Sequence, residues 1–156
     1  MMKAPAKRRL EAQTVIAMEH AGSYDEIGGV YRRLHEWARR HNAKVTGRGM
    51  TVFLSPPSEF DPKSALFEVC LPVESVTRSD PSITVKTLPA CTVAAIRVRG
   101  PYSNIPAHYS ELLAWLNVEG WEIAGPPREV YVRRPAPDEV GSEEDYVTEI
   151  QFPISE

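Results

Sequence analysis

The chain has 156 residues, of which 42% are apolar and 25% charged, and its formal net charge at pH 7 is -3. This composition is typical of a soluble globular domain, and the mild acidity argues against a protein that holds nucleic acid through a strongly basic surface. No apolar run is long enough to span a bilayer and no apolar segment follows the positive charges near the start, so we expect a cytoplasmic protein without membrane association.

The first half of the chain has the pattern of a strand, a helix and two further strands. Residues 7–20 alternate and are rich in β-branched side chains, which predicts a strand with a bend near Gln13. Ser23 stands three positions before Glu26, the spacing of a capping box, and apolar residues at helical spacing follow to about Asn42. The next predicted elements are two strands and a short polar link, at residues 50–54, 66–73 and 74–81.

The second half of the chain has the same order of predicted elements. A helix capped by Ser103 or Asn104 tolerates Pro106 in its first turn and ends before Gly120. An acidic loop at 135–145 is expected to be the most mobile part of the chain. The predicted strands of this half lie at residues 83–88, 91–98, 128–134 and 146–154.

The two halves are copies of one module. Residues 10–37 match residues 88–115 at a constant offset of 78, a density of identities that composition does not explain. After a loop that is three residues longer in the second copy, residues 65–73 match 146–154. Copies of about 75 residues are each marginal alone, so we expect them to share one core. The expected organisation is one domain over residues 1–156, with pseudo-repeats 6–75 and 84–156.

Few residues suggest metal, redox or nucleophilic chemistry. The two cysteines, Cys70 and Cys91, lie in strand-like runs without a C-x-x-C spacing, and we expect both to be buried free thiols. The four histidines lack the spacing of zinc ligands, and the sequence has no phosphate-binding, dinucleotide-binding or serine-hydrolase motif. We therefore expect no metal and no cofactor.

Motifs of the second copy carry a resemblance to a known family. They are R-x-R-G-P-Y, L-x-x-W, G-P-P-R-E-V-Y and T-E-I-Q-F-P, at residues 97–102, 112–115, 125–131 and 148–153. With the duplication, they resemble the GyrI-like effector-binding domain, the ligand-sensing part of certain AraC-type and multidrug-sensing MerR-type regulators. The resemblance covers nearly the whole chain. It implies an α+β fold, in which two strand-helix-strand-strand modules form one bent antiparallel sheet, with two helices packed on one face and a ligand cleft near the pseudo-twofold axis.

The chain differs from the regulators at its start. Only about ten residues precede the first predicted strand, too few for a helix-turn-helix, so we expect no direct DNA binding. The chain is similar to the stand-alone members of the family. That branch is variously associated with gyrase inhibition, ligand sequestration and hydrolysis of cyclopropane-containing toxins.

The resemblance also implies an acidic residue in the ligand site. In the family, an acidic residue of the last strand lies at the floor of the pocket and selects cationic lipophilic compounds, and Glu149 holds this position. Alternation places Val147, Glu149 and Gln151 on one face of the strand. The alternative is a solvated carboxylate on an ordinary amphipathic strand. Glu68 is the repeat mate of Glu149 and a second candidate, although ligands often use only one copy.

Aromatic side chains supply candidate walls for the same pocket. Tyr109 lies on the apolar face of the second helix, where core packing is the alternative. Trp37 and Trp115 lie off the centre of their helices' apolar faces, which suits either the rim of a cleft or a side chain that covers the sheet. Tyr131 is a strand residue with a hydroxyl group and suits an aromatic wall.

Three functions from different classes stay open. The first is binding of an amphipathic or cationic, lipophilic small molecule, stacked on aromatic walls over Glu149. The second is hydrolysis in the same cleft, with Glu149 as the catalytic general base. The third is a gyrase-inhibitor-like interaction with a protein partner through a basic helix face, for which simple solvation is the alternative. The basic face consists of Arg32, Arg33, Arg39 and Arg40.

Overall fold

A computed structural model of the chain describes residues 4–74, 81–133 and 143–155. Most of the predicted polar link at 74–81 and of the acidic loop at 135–145 lies outside these residues. The described part confirms the predicted mixed α+β class. Its helices and strands are β1 (Ala6–Leu10), β2 (Gln13–Gly22), α1 (Ile27–Arg40), β3 (Met50–Ser55), β4 (Ala65–Pro72), β5 (Thr84–Leu88), β6 (Cys91–Arg99), α2 (Ile105–Glu119), β7 (Glu122–Ile123), β8 (Arg128–Arg133) and β9 (Val147–Ser155).

Residues 7–20 form two strands, β1 and β2, rather than the one predicted, and the chain breaks between them next to the bend predicted near Gln13. The break has a topological cause. β1 pairs antiparallel with β6, with Arg8 opposite Val93, whereas β2 pairs with β4 and β5. The two residues between the strands, Glu11 and Ala12, let the chain leave one set of partners for the other.

The chain divides into two compact units that do not follow the repeat boundaries. The N-unit is Glu11–Ala90, and the C-unit combines Met1–Leu10 with Cys91–Glu156. Each unit therefore takes its edge strand from the other repeat: β1 completes the C-unit and β5 the N-unit. The expectation of a single domain with repeats 6–75 and 84–156 stays a prediction.

The N-unit is an antiparallel sheet with one helix on one of its faces. The strand order is β3-β4-β2-β5. Alternate residues of these strands pack against α1, so apolar side chains close the core between helix and sheet. The core includes Ile16, Val30, Leu34, Trp37, Phe67, Val69 and Leu71.

The C-unit has the same construction. The strand order is β1-β6-β9-β8, and the short strand β7 also pairs with β9. Helix α2 packs on one face of this sheet, with its apolar residues against alternate positions of the two central strands. The core includes Ala94, Ile96, Val98, Leu112, Leu116, Ile150 and Phe152.

The helix ends follow local signals, with two corrections at the first helix. Ser23 caps a short 3-10 turn, where its hydroxyl accepts from the backbone N–H of Asp25 at 3.4 Å. The carboxylate of Glu26 lies 3.3 Å from His20 Nε2, so the predicted capping box does not form, and α1 ends at Arg40 rather than near residue 42. Helix α2 ends where predicted, because Gly120 adopts φ +77°, a left-handed conformation that favours glycine.

The two cysteines are both free, but only one is buried. Cys70 lies in the middle of the N-unit sheet and is buried, as predicted. Cys91 is half-buried, which corrects the prediction, because it is the first residue of β6 and lies at a corner of the sheet opposite Leu10. No helix in the described ranges is long and apolar enough to cross a membrane.

Candidate functional site

The two faces of the C-unit sheet have different characters. Ile150 and Phe152 of β9 pack beneath α2, so alternation turns Glu149 and Gln151 to the other side. We call this side the helix-distal face. Both polar residues are nevertheless buried, at 4% and 3% exposure. Buried polar side chains are the informative feature of such a face, because burial of polar groups is costly without specific partners.

Glu149 forms an ion pair with a residue of the exchanged strand β1. Arg8 Nη1 donates to both carboxylate oxygens, at 2.7 Å to Oε1 and 3.0 Å to Oε2. The side chain of Arg8 is 42% exposed, whereas that of Glu149 is 5% exposed. The pair thus consists of a buried anion and a cation that reaches it from solvent. Without such a partner, the buried carboxylate would be strongly unfavourable.

Gln151 lies beside the ion pair on the same face. Its Nε2 donates to Glu149 Oε2 at 3.3 Å. Its Oε1 is buried and accepts no hydrogen bond from the described residues. A buried acceptor without a donor costs about 1–3 kcal/mol, which makes this oxygen an uncommon feature of a folded protein.

The N-unit repeats this arrangement with one difference. Lys86 Nζ donates to Glu68 Oε1, and these residues are the repeat mates of Arg8 and Glu149. The residue two positions after Glu68 is Cys70, whose Sγ lies 3.9 Å from Glu68 Oε1 and corresponds to Gln151. Each unit therefore holds a strand carboxylate with a cation from its exchanged edge strand. The C-unit alone adds an amide to this arrangement.

The predicted aromatic residues of the C-unit lie on its helix side. The ring of Tyr109 meets the ring of Phe152 edge-on, with centroids 5.8 Å apart, and Trp115 packs against the core under α2. Tyr131 is 7% exposed and lies opposite Thr148 in register, which places it on the helix side as well. The structure brings these three aromatics to one face and Glu149 to the other.

The N-unit candidates are separated in the same way. Trp37 is 4% exposed and belongs to the core between α1 and the sheet, where its ring stacks on His41 at 4.1 Å. Glu68 lies on the opposite face of the sheet, because its neighbours Phe67 and Val69 point into that core. The position of Trp37 matches the alternative of a side chain that covers the sheet.

Glu129 is a candidate that the sequence reasoning did not select. It lies opposite Ile150 in register, on the helix side of the C-unit, and Tyr109 Oη donates to its Oε2 at 2.8 Å. Burial raises the pKa of Glu129, and the hydrogen bond from Tyr109 opposes that rise. The sequence did contain a signal for Glu129, because the two repeats differ at this position and the equivalent residue of the first repeat is Thr51.

The raised pKa of Glu129 predicts a pH-dependent stability. Above the ordinary value of 4.5, an unfolded Glu129 has lost its proton while the folded carboxyl still retains it. The unfolded state then binds fewer protons, so the free energy of unfolding falls as pH rises through this window. Glu129→Gln keeps an acceptor for Tyr109 and should flatten the fall. Urea unfolding at a series of pH values measures this, and an unchanged slope in Glu129→Gln contradicts the assignment.

The histidines are dispersed rather than grouped. His20 contacts Glu26, while burial and the nearby cation of Arg39 lower the pKa of His35 on α1. In the part of the chain that the structure describes, no three His, Cys, Asp or Glu side chains are placed to hold a metal ion together.

The proposed basic face lies on α1 of the N-unit, and its four arginines are all exposed. Arg39 and Arg40 occupy the last turn of the helix, where positive charge interacts favourably with the helix dipole. Two of the four therefore have a local structural reason for their charge. A protein partner for this face stays a prediction.

Comparison with known proteins gives one family and several solved structures. A family model described as a GyrI-like small molecule binding domain matches residues 3–155. No curated protein matches the chain. The chain is similar to the EcmrR C-terminal domain, with a TM-score of 0.84 and 19% identity over 97% of each chain. The chain is also similar to the EcmrR chain in a complex with DNA, and it spans 58% of the length of that longer chain.

Two further structures are similar over nearly their whole length. One is a hydrolase from Listeria innocua, with a TM-score of 0.71 and 10% identity over 97% of this chain and 92% of the other. The second is SAV2435 bound to tetraphenylphosphonium, with a TM-score of 0.61 and 14% identity over 98% and 94% of the two chains. At these identities, the likeness concerns the fold.

Proposed function

The chain belongs to the GyrI-like small-molecule binding domain family, and from this we propose that its C-unit binds an amphipathic or cationic, lipophilic compound at Glu149. The observation that carries the proposal is the ion pair on the helix-distal face. A carboxylate that is 5% exposed is neutralised by Arg8, a cation that is 42% exposed. The cationic group of a ligand can replace this cation and keep the buried charge paired.

The exchange is favourable for a lipophilic cation in particular. Arg8 gives up side-chain freedom, of the order of 2 kcal/mol in total, when it is held over Glu149. Release of Arg8 to solvent regains part of that freedom. The residues directly opposite Glu149 in register are Arg97 on β6 and Val130 on β8. Its apolar neighbours on this face are Val130 and Ala95, which is 3% exposed. An apolar body attached to the ligand's charge gains from such neighbours, whereas a hydrated metal ion does not.

The compound class also has support from a structural neighbour. SAV2435 was solved with tetraphenylphosphonium, which is a lipophilic cation. The EcmrR C-terminal domain shares the fold. Neither neighbour is similar enough in sequence to transfer individual contacts, so the residues of this proposal come from the chain itself.

The proposal is tested with two ligands that differ only in charge. One is an arylalkyl trimethylammonium and the other is its neutral tert-butyl isostere. In isothermal titration calorimetry, the cation should bind the protein at least about tenfold more tightly than the neutral isostere, because only the cation forms a charged contact with Glu149. Equal affinities, or no binding of the cation, would overturn the proposal.

Removal of Arg8 should separate stability from affinity. In Arg8→Met, Glu149 loses its partner, so the free energy of unfolding should fall by about 1–3 kcal/mol, less than for a fully buried pair because Arg8 is partly solvated. The vacated carboxylate should bind the trimethylammonium about tenfold more tightly, since the ligand no longer competes with Arg8. Urea unfolding and calorimetry measure the two effects.

Lys86→Met is the matched control for this experiment, because Lys86 holds the equivalent place in the N-unit. It should lower stability and leave affinity unchanged. If Arg8→Met weakens cation binding, Arg8 is a ligand contact rather than a competitor, and the exchange model is wrong.

Hydrolysis is the second candidate function, and the environment of Glu129 is the observation that favours it. Its pKa is raised by burial and Tyr109 holds its carboxyl at 2.8 Å, which are properties of a general base. Glu129 suits this role better than Glu149, whose two oxygens are already engaged by Arg8. With cyclopropane-containing substrates, Glu129→Gln should lower kcat about a hundredfold and leave KM nearly unchanged. The absence of turnover by the unmodified protein excludes this candidate.

A further inference from the structure

The two repeats differ at one side chain next to the strand carboxylate. In the N-unit, Cys70 stands beside Glu68, and in the C-unit Gln151 stands beside Glu149. Both side chains direct a donor toward their carboxylate. The amide of Gln151 has in addition an oxygen, which is a strong acceptor that the thiol lacks.

The orientation of this amide follows from its neighbour. Nε2 lies 3.3 Å from Glu149 Oε2, and the reverse orientation would place two oxygens with negative partial charge against each other. Oε1 therefore points away from the carboxylate. It is buried and accepts nothing from the described residues. Arg128 lies opposite Gln151 in register, but its Nη2 contacts Cys91 Sγ at 3.1 Å.

We propose that Gln151 determines the ligand specificity of the helix-distal face by accepting a hydrogen bond from the ligand. The inference rests on the proposed function, since it needs a cation at Glu149. The protein should then prefer protonated primary and secondary amines, which carry N–H donors, over quaternary cations of similar shape, which carry none.

The geometry allows one ammonium group to use both residues. The Gln151 amide is in hydrogen-bonding contact with the carboxylate of Glu149, so its second polar atom lies one amide width further along the face. An ammonium that displaces Arg8 and lies closer to Gln151 than Arg8 Nη1 does can donate one N–H to the carboxylate and another to the amide oxygen. A trimethylammonium group satisfies the charge of Glu149 but leaves the amide oxygen without a donor.

The repeat supplies the substitution that tests this inference. Gln151→Cys installs the residue that the N-unit carries at the equivalent strand position, and Cys70→Gln is the reciprocal control. The ligands are an arylalkyl primary ammonium and its N,N,N-trimethyl analogue, measured by calorimetry at neutral pH. The wild-type protein should bind the primary ammonium about tenfold more tightly. Gln151→Cys should remove this preference, and Cys70→Gln should leave it unchanged.

The outcomes distinguish this inference from the function on which it rests. If neither cation binds the wild-type protein, the proposed function fails and the inference fails with it. If the wild-type protein binds the trimethylammonium at least as tightly as the primary ammonium, the inference alone is wrong. The inference alone is also wrong if Gln151→Cys still binds the primary ammonium more tightly than the trimethylammonium. Thermal unfolding checks each variant, and if Gln151→Cys does not fold, Gln151→Met serves in its place.

Discussion

Glu149→Gln is expected to weaken the binding of an arylalkyl trimethylammonium by about 1–3 kcal/mol, or roughly 5- to 150-fold in Kd. The substitution keeps the shape of the side chain and most of its hydrogen bonds, so the lost affinity reports the charge. The neutral tert-butyl isostere should lose little. Calorimetric titration of the variant and the unmodified protein with both ligands measures the difference.

Glu68→Gln is the internal control for this prediction. Glu68 has the same place in its unit as Glu149 and a similar partner, Lys86, so the two substitutions perturb equivalent ion pairs. We expect Glu68→Gln to leave cation affinity nearly unchanged. A loss of affinity in Glu68→Gln, without one in Glu149→Gln, would assign the ligand to the other repeat. If Glu149→Gln instead keeps ligand affinity and lowers a hydrolysis rate, Glu149 acts as a general base.

Phe67→Ala is expected to have the largest effect on stability, a loss of about 3–5 kcal/mol in the free energy of unfolding. Phe67 is the largest fully buried side chain of the described residues, at 0% exposure. It belongs to the core beneath α1, and its ring lies 5.3 Å from that of His20 and 6.2 Å from that of Tyr24. Truncation leaves a cavity that rigid neighbouring strands cannot fill.

The N-unit also contains the control for Phe67→Ala. Phe60 precedes β4 and is 94% exposed, so Phe60→Ala removes the same atoms from solvent rather than from the core. We expect the free energy of unfolding to change by less than about 0.5 kcal/mol. Urea unfolding of both variants is the measurement. Similar losses in the two variants would contradict the described core.

The duplication was predictable because identical residues recur in the sequence at a fixed offset. The end of α2 was predictable because it depends on a local residue, Gly120. The exchange of β1 and β5 between repeats was not predictable. Strand alternation decides which residues share a face, but it is the same whether a strand pairs with its own repeat or with the other. The sequence pattern of β1 therefore carried no information about its partner, β6.

The candidate site was predictable only in part, because strand alternation groups residues by face but does not identify what each face contacts. Alternation correctly placed Glu149 and Gln151 on one face of their strand. It could not show that Tyr109 and Tyr131 lie on the opposite side of the sheet, because a sequence does not state which face of a strand meets the helix. Their aromatic character alone suggested that they would surround the carboxylate.

The residues that define the site most sharply appear only in the structure. Arg8 lies far from Glu149 in sequence, and the exchanged strand brings the two together. The orientation of the Gln151 amide leaves its oxygen without a donor among the described residues, and the raised pKa of Glu129 depends on burial under α2. A comparison of the two repeats would have marked Gln151 and Glu129, because their mates are Cys70 and Thr51, but not Arg8, whose mate Lys86 is also basic.

A crystal structure with a bromoaryl-alkyl ammonium tests the central claim most directly, since the anomalous signal of bromine locates the ligand independently of the protein density. The predicted result is an ammonium nitrogen within about 3 Å of the Glu149 carboxylate, with the Arg8 side chain turned into solvent. A ligand that binds instead beside Tyr109 and Glu129 on the helix side, with the Arg8–Glu149 pair intact, would contradict the claim.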